Sequence, residues 1–96
     1  MSKTDELFEK LDYIKIQDKD ICKYVYDKGG LLLTIRFNLK YKTITISMYD
    51  RDEQRKYSPE ITIQELQAIN EKVKELGWLD NSLIRTLEYA DNPITP

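Results

Sequence analysis

Apolar positions along the chain change their spacing twice, and each change marks an element. Leu7, Phe8 and Leu11 recur at helical spacing behind Thr4, which can cap a first helix whose positive end suits Asp5 and Glu6. From Tyr13 the period falls to two: Ile14 and Ile16 alternate with Lys15 and Gln17, and the stretches ICKYVYD, LLLTIRF and TITISMY follow. Their β-branched and aromatic residues predict four strands in succession, hence an antiparallel meander.

The turns between them fix which side chains share a face. Pairing Ile35 with Ile44 also pairs Leu33 with Ile46 and Leu31 with Met48, leaving Asn38 to Tyr41 as the loop. Across residues 27–30, DKGG, an even loop sets Tyr26 against Leu31, Tyr24 against Leu33 and Cys22 against Ile35. An odd loop would carry Lys23 into the core, where an unpaired ammonium is costly, so the even loop is expected and Cys22 becomes a core residue. Ile16 opposite Cys22 and Ile14 opposite Tyr24 continue the same apolar side into the first strand.

Helical spacing returns at residue 61. Thr62 and Glu65 form a capping box, Ile61 and Leu66 stand at the staple positions, and Pro59 interrupts the chain before them. Ile63, Leu66, Ile69, Val73 and Leu76 make the stripe, and Gly77 takes the place where a left-handed residue closes a helix and lets Trp78 fold back on Val73. Asp80 caps a last helix with Leu83, Ile84, Leu87 and Ala90, halted near Asn92 and Pro93. The expected fold is α+β over residues 1–96 as one small domain. A four-stranded antiparallel meander is preceded by one helix and followed by two, all packed on one sheet face.

Length and composition narrow the function classes. A chain of 96 residues with 41% hydrophobic and 33% charged residues can bury one core but leaves little chain for a large cleft. The longest apolar run is Leu31 to Leu33 and the N-terminal stretch is mixed in charge, so neither a membrane span nor a secretory signal is read, and a cytoplasmic location is expected. The net charge of −2 is unevenly spread: residues 21–60 hold eight basic and five acidic side chains, whereas both flanks are acidic.

Catalytic equipment is sparse. With no histidine, Ser-His-Asp and Cys-His arrangements are excluded, and the single Cys22 is expected inside the core, so no catalytic residue is assigned. The acidic run of Asp50, Asp52 and Glu53 lacks the glycine and the twelfth-position glutamate of a calcium loop and is expected to be a hydrated loop. Gly29-Gly30 lacks the lysine and hydroxyl of a phosphate loop. No metal or cofactor is expected.

The opposite side of the sheet is more informative. In the expected register it presents Tyr13, Lys15, Gln17, Lys23, Val25, Leu32, Thr34, Arg36, Thr43, Thr45, Ser47 and Tyr49, with no carboxylate and with Lys15 beside Lys23. Like charges at such a distance cost stability unless an acidic partner relieves them. Lys15, Lys23, Arg36 and Tyr49, with Arg51 and Arg55 in the following turn, are the candidate partner-binding residues. A protein partner is the first expectation, and pairing at a sheet edge, including a homodimer, is one form it could take. The alternative is nucleic-acid backbone bound by Lys15, Lys23 and Arg36 with Lys40, Lys42, Arg51, Arg55 and Lys56, although the central aromatic platform of single-strand binders is missing.

ELFEKL near the start, KYVYD and ITISMYD in the strands, and above all ELQAIN with ELGWL in the long helix resemble small uncharacterised proteins encoded by phages, prophages and other mobile elements of Gram-positive bacteria. The resemblance covers most of the chain and implies origin and fold, and it transfers no catalytic residue. The helix, sheet, helix, helix order also looks like that of some phage anti-CRISPR proteins, but the DNA mimics among them carry dense acidic surfaces that a basic middle does not match. The expected function is a non-enzymatic protein-binding module of the bacterial cytosol.

Overall fold

Ser2 begins the first helix by accepting a hydrogen bond from the Asp5 amide (3.1 Å), so α1 runs Lys3–Lys10. The structure, a computed structural model, describes residues 2–78. In chain order α1 is followed by β1 (Ile14–Gln17), β2 (Ile21–Lys28), β3 (Leu31–Asn38), β4 (Thr43–Asp50), β5 (Arg55–Tyr57) and α2 (Ile63–Glu75). The strands form one antiparallel sheet in that sequential order, so the fold is α+β with a five-stranded meander. The last helix expected from Asp80 lies outside the described residues.

Thr4, expected as the cap of α1, is instead inside the first turn and buried. The serine two residues earlier wins because its hydroxyl is placed to take an otherwise unpaired amide of that turn. At the other end Asp12 adopts φ 68°, the Tyr13 amide donates to Phe8 O (3.0 Å) and the Asp12 amide to Glu9 O (3.0 Å). These two bonds fold Tyr13 back over α1, with its ring 5.5 Å from that of Phe8.

That reversal overturns the expected register of β1. Ile14 pairs with Val25, Lys15 with Tyr24, Ile16 with Lys23 and Gln17 with Cys22. A shift of one residue exchanges the two faces of a strand, so Tyr13 and Lys15 lie on the helix side and Ile14 and Ile16 on the other. Two local causes act together. The buried ring of Tyr13 packs on Phe8 and Tyr26, and its hydroxyl donates to Glu65 on α2. Asp18 Oδ1 accepts from the amides of Asp20 (3.0 Å) and Ile21 (2.9 Å), closing a turn of only Lys19 and Asp20.

The same aspartate or asparagine device closes two more turns. Asn38 Oδ1 accepts from the Lys40 and Tyr41 amides, and Asp50 Oδ1 from those of Asp52 and Glu53. In each of these two the chain returns through a residue at positive φ, Lys42 and Gln54. The β3–β4 loop is therefore Leu39 to Lys42, and Ile35 meets Ile46, two residues from the expected partner but on the same face. Asp50 does more than end a strand, since its turn returns the chain as β5, a fifth strand just past the stretch expected to be hydrated loop.

Between β2 and β3, Gly29 (φ 62°) and Gly30 (φ 86°) form a two-residue turn of the kind that matches the twist of a hairpin. Asp27 and Lys28 are thereby drawn into the ladder, and Cys22 meets Phe37, Tyr24 meets Ile35 and Tyr26 meets Leu33. The expected even loop is correct in face and two residues too long.

Both helices close one side of this sheet. Phe8 of α1 stacks on Tyr24, with ring centroids 3.9 Å apart, and Ala68, Ile69 and Val73 of α2 join Cys22, Leu33, Ile35 and Phe37 in the core. The capping box of Thr62 and Glu65 is present, and the Trp78 amide donates to Val73 O (3.1 Å) past Gly77 at φ 71°. The buried stripe is rotated from the expected one, however. Lys72 is 4% exposed while Ile63 is 68% exposed. Small Ala68 is fully buried against the core, and the Lys72 ammonium stands 5.8 Å from the Tyr24 ring centroid and reaches Glu75 Oε2 (2.7 Å).

Candidate functional site

Sheet pleating gives the side that no described helix covers its composition. Opposite the helices stand Ile14 and Ile16 from β1, Lys23 and Val25 from β2, Leu32, Thr34 and Arg36 from β3, Thr45, Ser47 and Tyr49 from β4, and Lys56 from β5. None of these residues is buried.

Across the middle runs the row Ile16, Lys23, Arg36, Thr45, in which Lys23 and Arg36 are direct cross-strand partners. Among the described residues neither has a carboxylate within 4 Å. Opposed cations on a sheet sit about 5 Å apart at Cβ and repel. On one side of this row lie Ile14, Val25, Thr34 and Ser47, and beyond it Leu32, Tyr49 and Lys56. Ile14 (68% exposed) and Ile16 (49%) give the face an apolar margin at the β1 edge.

The expected site residues separate. Lys23, Arg36 and Tyr49 share this face, as the sequence implies. Lys15 does not: the shifted register turns it to the helix side, where its ammonium lies 3.2 Å from Asp5 Oδ2. Its place beside Lys23 is taken by Ile16. Arg55 pairs with Asp50 on the helix side of the sheet plane and stands over the Tyr57 ring at 5.0 Å. Arg51 sits in the β4–β5 turn, with Nη2 at 2.5 and 2.7 Å from the two oxygens of Asp27. Asp27 is itself a correction: the two-residue glycine turn brings one carboxylate onto the rim of a face expected to have none, where Arg51 neutralises it.

The basic loop residues are split as well. Lys40 and Lys42 belong to the β3–β4 turn, whereas Arg51, Arg55 and Lys56 follow the opposite end of β4. Eight residues of strand put roughly 25 Å between the two groups.

On the helix side, α1 is tied to the sheet through Asp5. Tyr24 Oη donates to Asp5 Oδ1 (2.9 Å) and Lys15 Nζ to Oδ2 (3.2 Å). Burial works to raise the Asp5 pKa, but the bonds from Tyr24 and Lys15 and the lysine charge outweigh it and hold the carboxyl below its ordinary value. Burial first, then the neighbouring Cys22 and Asp5, push the Tyr24 hydroxyl upward, so it remains a neutral donor. Cys22 is completely buried. No helix among the described residues is long and apolar enough to cross a membrane, and no group of three or more metal-ligating side chains occurs among them.

Ile14 and Ile16 escape the sequence reading as members of this face because alternation alone assigns them to the core. The signals that reverse it are Asp12 and Asp18, one a helix terminator and the other a turn former. Comparison with protein-family models, with curated proteins and with solved structures finds no match.

Proposed function

We propose that the protein is a non-enzymatic protein-binding module of the bacterial cytosol that docks its partner on the sheet face that no described helix covers. It would serve as an accessory protein of the kind encoded by phages, prophages and mobile elements of Gram-positive bacteria, which its sequence resembles. One observation carries the reading: Lys23 and Arg36 face each other across β2 and β3 without a described carboxylate, next to the exposed Ile14 and Ile16. A like-charge pair that the fold does not need, beside apolar side chains that it leaves in water, is complementary to a partner surface with an acidic centre and an apolar flank.

Nucleic acid is the weaker fit. Its backbone would have to track cations that lie at opposite ends of β4, and Tyr49 is the one aromatic residue on the face among the strands described.

The charge-reversed variant Lys23→Glu separates binding from folding. It places a carboxylate opposite Arg36, so stability is expected to stay level or to rise by up to about 1 kcal/mol in chemical denaturation, while capture of the partner is lost. Undiminished capture by the folded variant contradicts the reading.

A further inference from the structure

The edge of β1, which no described strand pairs, offers a second, more specific contact, which rests on the protein-binding reading and deepens it by naming the form of the partner. In the sheet order β1 is terminal, and its four residues are all exposed. The direction of its unpaired backbone groups follows from one hydrogen bond. Asp18 N–H donates to Ile21 O (2.9 Å), which makes Asp18 and Ile21 a hydrogen-bonded pair. Such pairs alternate along an antiparallel ladder, so Ile16 and Ile14 also point their amides and carbonyls at β2. Lys15 and Gln17 therefore point theirs outward. The run ends at Tyr13, whose amide already donates to Phe8 O.

Beside this edge, between β1 and α1, opens a pocket of about 340 Å³. Phe8, Tyr13, Ile14 and Tyr24 line it, the three aromatic residues no more than 5% exposed, with Glu9 and the Asp5–Lys15 pair around them. The two charges nearest the strand, Asp5 and Lys15, already satisfy each other, so neither asks for a charge from an inserted side chain. On the opposite side of the same strand Ile14 and Ile16 are left 68% and 49% exposed.

We propose that an extended segment of a partner protein adds to β1 as a sixth strand, inserting an aromatic or aliphatic side chain between β1 and α1. Its backbone would complete the bonds of Lys15 and Gln17. The two residues flanking the inserted one would face the other way, over Ile14 and Ile16, and β-branched residues suit those positions. A second copy of this chain fits less well. Its own β1, IKIQ, would present lysine and glutamine to the aromatic pocket, and four residues bury far less than the roughly 1,200 Å² expected of a stable dimer.

The test uses the full chain and a phage-displayed library of random eight-residue linear peptides, followed by titration of the best synthetic peptide. The selected peptides are expected to share one aromatic or large aliphatic residue at a fixed position. Gln17→Pro removes an amide with no partner inside the sheet, a change an edge strand tolerates. It should leave the melting curve in place and weaken the peptide about tenfold, the loss set by one backbone bond and an unpaired carbonyl. Glu9→Trp, which crowds the pocket mouth, should weaken it similarly, and Lys74→Ala, exposed on α2, should change it less than about twofold; partner capture by Lys23→Glu is read separately, so failure here is distinguishable from failure of the open-face reading. Should Gln17→Pro not fold, the peptide N-methylated at alternate amides reads the same bonds from the other side. Several results overturn the inference: no peptide is selected, Gln17→Pro or the methylated peptide binds at full strength, or the Lys15 and Gln17 amides of the free protein already resist hydrogen exchange.

Discussion

Asp5 joins α1 to β1 and β2 through two donors, and within α2 Glu75 pairs with the buried Lys72. For Glu75, as for Asp5, burial raises the pKa and the hydrogen bonds it accepts, with the lysine charge, more than reverse it. Both folded values therefore lie below the ordinary 4.5 and 3.8. A carboxyl of that kind contributes stability that is present above its unfolded pKa and lost as pH falls through its folded one. The melting temperature is expected to hold through neutral and mildly acidic pH and to fall once pH drops below about 4, and the double variant Asp5→Asn, Glu75→Gln should flatten that decline. An equally steep decline in the double variant would place the acid sensitivity elsewhere. Lys72 also shows where residue-level reading stops. A lysine in a helix is ordinarily solvated, and only the meeting of Ala68, Tyr24 and Glu75 in space makes a buried one tolerable.

Elements are decided at their ends. FEKLDY, from Phe8 to Tyr13, and VKELGW, from Val73 to Trp78, form the same helix terminus: a leucine cap, a left-handed residue and an aromatic residue whose amide returns to the carbonyl five positions back. The second is legible because glycine announces a left-handed position. The first is hidden because aspartate holds it, and with it go the register of β1 and the placement of Lys15, Ile14 and Ile16. The two sites give opposite predictions. Gly77→Ala is expected to destabilise by about 1 kcal/mol, because an added Cβ meets nothing within 4 Å and only the backbone is strained. Asp12→Gly should be neutral or stabilising by up to about 1 kcal/mol, since its exposed ion pair with Lys28 contributes little. Thermal melts of both variants decide it, and a stabilising Gly77→Ala would show that the helix does not end in this way. Strand faces after β1 are legible because alternation tolerates slips of two, which preserve every side chain's side. Loop lengths are not, because Asn38 and the glycine pair draw residues that look like loop into the ladder.

At the scale of the whole molecule the sheet divides the protein into a face that two helices close and one that no described helix covers. The closed face is readable in composition, since ICKYVYD, LLLTIRF and TITISMY each put apolar residues on one side. The open face is readable in its middle, at Lys23, Arg36 and Tyr49, and misread at its margin, where Lys15 departs and Ile14, Ile16 and Asp27 arrive. The change shifts the site from a basic surface towards a mixed one, with a cationic centre and an apolar border, and such a surface suits protein better than a phosphate backbone. The most direct test is affinity capture of the tagged chain from a Gram-positive host lysate, run in parallel with and without nuclease and read by mass spectrometry. Retention of one protein after nuclease treatment, with its release by Lys23→Glu, is the predicted result. Loss of everything retained once nucleic acid is digested would contradict the account and make Lys23, Arg36 and Lys56 a phosphate-binding face.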